Sequence, residues 1–199
     1  MPISKSMRRK FSFPDRLSGG TRLRIAVALS LAFAALQPAS ALPSAPPAPS
    51  APSFWLEPTG GPYPKPEPGA KIWLKVSLDR QRVYVMSGDG CVYTMIASTG
   101  LDSPEDDRTP QGVFYVQRER GLSFYSARLG EGARYWVSWL HHGEYLFHSV
   151  PTDAKGRIVE EEASKLGRKA SHGCIRLSLP DAKWIYDNVR FGAKVVIGP

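Results

Sequence analysis

Alternation of apolar and polar positions begins at Lys71 and runs through most of the chain that follows. Lys71-Ile72-Trp73-Leu74-Lys75-Val76, Gln81-Arg82-Val83-Tyr84-Val85-Met86 and Cys91-Val92-Tyr93-Thr94-Met95-Ile96 keep a period of two and are rich in β-branched and aromatic residues, the pattern of strands buried on one face. Leu78-Asp79-Arg80 and Ser87-Gly88-Asp89-Gly90 punctuate them as hairpin turns. Cys91, opening the third strand, reads as a small core side chain. Asp102 to Arg108 reads as a solvated acidic loop, and Thr109-Pro110-Gln111-Gly112 turns into a strand from Val113 to Gln117. Between 122 and 150 the aromatics Phe124, Tyr125, Tyr135, Trp136, Trp139, Tyr145 and Phe147 mark strands facing a core, with one or two of them available to line a groove. His141-His142-Gly143-Glu144 reads as an exposed turn, after which Tyr145 to Val150 returns as a strand carrying His148 near its end. Pro151 to Ala170 is polar, and Glu160-Glu161-Glu162 with Lys165, Arg168 and Lys169 predicts a short charged helix or lid with a solvated face. Helical signals come late: Ser178 as N-cap, Pro180 in the first turn, an apolar stripe of Ala182, Ile185 and Val189, and Gly192 just beyond. Ala193 to Ile197 closes as a strand, which gives a mainly β domain with one late helix.

The first 69 residues follow other rules. Arg8, Arg9, Lys10, Arg16, Arg22 and Arg24 precede an apolar run of 12 residues, Ile25 to Leu36, and then Ala39-Ser40-Ala41. Basic flank, short apolar run and A-x-A site are the parts of an export signal over residues 1–41, with Met1 or Met7 as the start. A helix of that run rises about 18 Å against a hydrocarbon core of roughly 30 Å, so membrane contact is expected only through this segment if it stays uncleaved. Residues 42–69 read as a Pro-rich linker, with 10 prolines from Leu42 to Pro68, onto whose neighbouring domain Phe54 and Trp55 could pack. The third part, 70–199, is the folded domain.

Charge changes the picture by its distribution. The net charge is +8, but residues 1–41 hold seven Lys or Arg and one Asp, or +6, so the remainder carries only +2. A nucleic-acid footprint would sit on the folded domain, so no nucleic-acid partner is expected.

The candidate chemistry lies in Ser171-His172-Gly173-Cys174-Ile175-Arg176-Leu177. A cysteine is a nucleophile as its thiolate and needs a base or a lowered pKa. His172 stands two residues before Cys174, Gly173 permits a tight turn between them, and Arg176 offers a planar fork suited to a carboxylate. An inert buried thiol, a Cys91–Cys174 disulfide, and a zinc site using His148, His172 and Cys174 are the competing readings. A buried structural salt bridge stands equal to the carboxylate clamp for Arg176.

Ser171-His172-Gly173-Cys174-Ile175-Arg176, with Tyr145-Leu146-Phe147-His148-Ser149 upstream, resembles the signature of the L,D-transpeptidase (YkuD-type) catalytic domain. The resemblance runs over roughly residues 71 to 198 and takes in Ala97-Ser98-Thr99-Gly100, Thr109-Pro110-Gln111-Gly112 and Ala182-Lys183-Trp184-Ile185-Tyr186-Asp187. The stretch 149–170 is longer than in the family's shortest members. The resemblance implies a β-sandwich of short mixed strands with the late helix packed against it. It implies Cys174 as nucleophile and His148 as base, one ring nitrogen of His148 being held by a carbonyl near Ser149. Ser149, Ser171, His172 and Gly173 would supply orientation and an oxyanion site at the turn amides, Arg176 a substrate contact, with no cofactor and no metal. His148 would then keep the apparent thiol pKa below the unperturbed value near 8.5. The implied activity is exported cross-linking of peptidoglycan stem peptides through a thioester acyl-enzyme, in the periplasm or cell wall. A stem amine or D-amino acid, an envelope protein, or water would be the acceptor, water making the enzyme a carboxypeptidase or endopeptidase. A non-catalytic wall-binding module remains the reading outside enzyme classes.

Overall fold

A computed structural model describes residues 53–199 apart from Pro66 and Pro68. The expected export signal and residues 42–52 of the linker lie outside the described residues.

The alternating segments form strands β1 (Ile72–Ser77), β2 (Arg82–Ser87), β3 (Gly90–Ser98), β4 (Gly112–Tyr115), β5 (Arg120–Ser126), β6 (Glu131–Leu140), β7 (Tyr145–Ser149), β8 (Ile175–Leu177) and β9 (Lys194–Gly198). They make one mixed sheet in the order β4-β9-β1-β2-β3-β8-β7-β6-β5. The β1/β9 and β7/β8 pairs are parallel and the rest antiparallel. The sheet curls until its β4 end meets β6. Phe114 packs edge-on to Trp139 with ring centroids 4.9 Å apart. Just beyond β4 the Gln117 N–H donates to the Ser138 carbonyl at 2.8 Å, and the Ser138 N–H donates to that of Glu119 at 2.9 Å. The two halves thereby sandwich one core, with Leu74, Val83, Val85 and Met95 on one side and Val137, Trp139, Phe147 and Ile175 on the other.

Among the described residues two α-helices accompany the sheet, α1 (Glu160–Ala163) and α2 (Leu179–Asn188). The Ser178 hydroxyl accepts from the Asp181 N–H at 3.2 Å, the N-cap the sequence predicts, and Ala182, Ile185 and Val189 enter the core. Asp181, fully buried, takes bonds from the Thr59 hydroxyl and from the Tyr63 hydroxyl, the latter at 2.8 Å. The Pro-rich stretch is therefore not all free chain: Ser53 to Tyr63 lies on the domain, and Trp55 is 6% exposed in a second cluster with Val150, Ala163 and Leu166.

Two expectations are corrected. Cys91 is exposed, not a core side chain. Counting by twos gives it the inward parity of Tyr93 and Met95, but the bulge at Val85/Met86 sets it opposite Met86, and its sulfur lies 3.7 Å from Thr94 Oγ1 at the projecting end of the β2/β3 hairpin. The charged run at 160–162 is not simply a solvated face. Ala163 is fully buried, and Glu162 turns inward to an ion pair with Arg176.

Candidate active site

The site follows from strand register. In the β7/β8 pair, Phe147 lies beside Ile175, His148 beside Arg176 and Ser149 beside Leu177. Successive strand side chains point to opposite faces. Phe147, Ile175 and Leu177 thus enter the core without exposure, while Leu146, His148, Cys174 and Arg176 share the other face. That face lines a cavity of about 610 Å³, walled also by Phe124, Trp136, Glu144 and Tyr145.

Cys174 is half-buried and its thiol is held at both ends. The sulfur accepts from the Leu146 N–H at 3.4 Å and donates to the Glu144 carbonyl at 3.5 Å. The His148 ring is fixed as well. Its Nδ1 lies 2.7 Å from the Ser149 carbonyl oxygen. A carbonyl only accepts, so the neutral ring carries its proton on Nδ1 and leaves Nε2 as the basic nitrogen. The Phe124 ring stands edge-on to the imidazole, centroids 5.7 Å apart.

The turn before Cys174 is built from short side chains and close backbone approaches. The Ser171 hydroxyl donates to the Cys174 carbonyl at 2.6 Å and accepts from the Gly173 N–H at 3.2 Å. Gly173 has φ +104°, and a Cβ there would lie 2.7 Å from Tyr145 Cε1. Behind it, Gly100 pairs with Ser171, and a Cβ on Gly100 would lie 2.9 Å from Gly173 Cα. The Thr109 hydroxyl ties the two glycines together, accepting from the Gly100 N–H and donating to the Gly173 carbonyl, both at 2.8 Å. The segments around 97–100 and 109–112 thus clamp the motif turn from behind. His172 is exposed and contributes to the cavity wall.

This geometry and the sequence meet in one comparison: residues 71–197 match the YkuD family, the L,D-transpeptidase catalytic domain. The chain belongs to that family. YciB of Bacillus subtilis (strain 168), itself assigned as an L,D-transpeptidase, is 51% identical over 143 residues, 72% of this chain and 73% of that protein. Among solved structures, an L,D-transpeptidase from Mycobacterium tuberculosis H37Rv is 27% identical with a TM-score of 0.52, over 66% of this chain and 59% of its own. L,D-transpeptidase 3 of Mycobacterium tuberculosis, in complex with a faropenem-derived adduct, is 26% identical with a TM-score of 0.50, over 66% and 61%. The chain thus spans about three fifths of the length of these solved L,D-transpeptidases.

Within this L,D-transpeptidase domain the thiol and imidazole rest in their neutral forms. Burial pushes the Cys174 thiol up to about 11, outweighing the downward pulls of the Leu146 N–H and the Arg176 charge. Burial also pushes the His148 imidazole down to about 3, helped by repulsion from Arg176 and opposed by the Ser149 carbonyl. The expectation of a thiol held below 8.5 is therefore not met, because desolvation at this site exceeds the help from neighbouring charge.

Arg176 is oriented by the protein's own carboxylates. It is 3% exposed, its Nη2 lies 2.8 Å from Glu131 Oε2 and its Nη1 3.0 Å from Glu162 Oε2. Nη1 and Nη2 are thus held in a structural salt bridge, while the buried Nε has no partner among the described residues and Arg176 still lines the cavity. Glu131, Glu162, Gly100 and Thr109 were not singled out from sequence as parts of the site. Glu162 sat in a charge run, and nothing in the sequence pairs residues so far apart. Ser149 has two functions in the frame: its carbonyl holds His148, and its hydroxyl accepts from the Arg134 N–H at 2.9 Å. The long 149–170 stretch adds no wall to the cavity and acts from behind it through Glu162. Both cysteines are free thiols. Among the described residues no three His, Cys, Asp or Glu side chains gather as a metal-ligand set.

Proposed function

We propose that the protein is an exported L,D-transpeptidase that acylates Cys174 with a peptidoglycan stem peptide and passes the acyl group to an amine. The observation that carries this reading is the face shared by Cys174 and His148, with the Nδ1 proton of His148 committed to Ser149. His148 Nε2 removes the thiol proton as the sulfur attacks the donor carbonyl. Because both groups rest neutral, proton transfer accompanies attack instead of preceding it as a stored ion pair. The amides of the Gly173–Cys174 turn receive the oxyanion, Gly173 leaving its long 3.2 Å bond to Ser171. Collapse breaks the C–N bond, and the proton held on His148 goes to the departing amine, which leaves a thioester on Cys174. An acceptor amine then attacks the thioester, His148 takes its proton, and the thiol is returned.

The family supports peptidoglycan stems as donors, with the side-chain amine of a second stem as acceptor. The basic and apolar composition of residues 1–41 supports export to the periplasm or cell wall. The faropenem-derived adduct belongs to the Mycobacterium tuberculosis relative; on this chain we assign reaction with that reagent class to Cys174. Incubation with isolated tetrapeptide-stem muropeptides and separation of the products tests the reading. Cross-linked dimers with release of the terminal amino acid are expected, and Cys174→Ser should form none. Dimers formed equally by Cys174→Ser would refute it.

A further inference from the structure

We propose that Trp55 is a positioning residue of the catalytic unit, seating α1 so that Glu162 holds Arg176 beside His148 and Cys174. The inference rests on Cys174 being the reactive thiol, and it extends the working unit upstream of the matched region 71–197.

Trp55 lies in a short 3₁₀ turn, Phe54–Leu56, and is almost completely buried. Its cluster joins two places that bear on the site. Val150 directly follows Ser149, the residue whose carbonyl holds His148 Nδ1. Ala163 directly follows Glu162, which pairs with Arg176. α1 has only four residues, too few to hold its own geometry, and its N-cap, Val159, offers no side-chain hydrogen bond. The chain is tied just before it, where the Val159 N–H donates to the Pro151 carbonyl, and just after it, where Ser98 bonds Lys165 and Gly167. The seating of the turn between is set by what Ala163 and Leu166 pack against, and Trp55 is the buried aromatic there.

The far end of the chain from α1 to the site is equally specific. Arg176 is the Cα partner of His148 and sits two residues after Cys174. Its guanidinium is oriented from two sides, by Glu131 at the start of β6 and by Glu162 on α1. Loss of the Glu162 side would leave a buried cation with one partner and freer to act on the thiol. The segment bearing Trp55 is pinned separately at its other end, where the Thr59 hydroxyl bonds Asp181 and accepts from the Ile96 N–H at 2.8 Å. Tyr63 stacks on Trp184 there, ring centroids 6.0 Å apart. Two anchors distinguish this segment from a linker that merely touches the surface.

The test uses the full chain in a Cys91→Ser background, so that Cys174 is the only thiol, and reads the rate of alkylation by iodoacetamide from about pH 7 to 12. Glu162→Gln removes an anion facing Arg176, so the Arg176 cation favours the thiolate more and the midpoint moves down by about 0.5 pH unit or more. Trp55→Ala is expected to move it the same way, and the double variant no further than the larger single shift. Tyr63→Phe, which loses its bond to Asp181 but leaves Trp55 seated, should lower the melting temperature without moving the midpoint. A Trp55→Ala protein that melts lower yet keeps the parent midpoint, or whose shift adds fully to that of Glu162→Gln, overturns the proposal. If Trp55→Ala does not fold, Trp55→Phe is read by the same two criteria. Turnover is not part of the readout, so absence of cross-linked products with a shifted midpoint would count against the transpeptidase reading alone.

Discussion

At Gly173 the backbone turns at φ +104°, and an added Cβ would press within 2.7 Å of Tyr145 Cε1. Gly173→Ala is therefore expected to lose about 1–3 kcal/mol of stability from backbone strain alone, read as a lower denaturation midpoint, and with it most of the turnover. Arg176 makes a sharper distinction. Arg176→Gln would leave Glu131 without a cation and Glu162 with Lys165 alone, and losing one partner of a buried pair costs roughly 3–5 kcal/mol. Both glutamates are about a quarter exposed, so the lower end is expected. A residue that instead held substrate would show a raised KM with an unchanged denaturation midpoint. The motif residues were legible because their chemistry is local in sequence. The carboxylate partners of Arg176 were not, because Glu131 and Glu162 lie 45 and 14 residues away and reach it only through the fold.

Among the elements, β7 and β8 carry the account. Their parallel register delivers Cys174 and His148 to one face, and each needs only the period-two pattern of its own strand. That pattern was readable in Tyr145 to Ser149, but the pairing partner was not, since a three-residue strand like β8 leaves too little alternation to see. The burial of β7 has a measurable consequence. The His148 imidazole titrates near 6.5 when unfolded and near 3 when folded. Between these values the unfolded chain binds a proton that the native state refuses. This contribution to stability is complete above about pH 6.5 and is lost as pH falls toward 3, at up to about 1.4 kcal/mol per pH unit. Unfolding by urea at successive pH values should show this slope, and His148→Gln should flatten it. An identical pH profile in His148→Gln would contradict the buried neutral imidazole. α1 shows the reverse limit of the sequence: its charge run predicted a helix, but not that Glu162 and Ala163 face inward.

For the whole molecule, the curl of the sheet and the docked segment before β1 decide what folds as a unit. The strands and the late helix were readable from alternation and capping, whereas closure of β4 onto β6 depends on contacts between residues such as Phe114 and Trp139 that no local pattern joins. A chain beginning at Lys71 would lose Trp55 from its cluster and strip Thr59 and Tyr63 from the buried Asp181 carboxylate. Removing a buried Trp typically costs 3–5 kcal/mol, so such a chain should be less stable than residues 53–199 by at least about 3 kcal/mol in denaturant. Equal stability would make the segment an ornament of the surface. Acylation of Cys174 is read by intact-protein mass spectrometry during incubation with a purified tetrapeptide-stem donor. A transient mass increase equal to the donor less its terminal amino acid is expected, mapped by proteolysis to the peptide containing Cys174 and absent from Cys174→Ser. Turnover with no adduct in acid-quenched wild-type enzyme, or an adduct on any other residue, would contradict it.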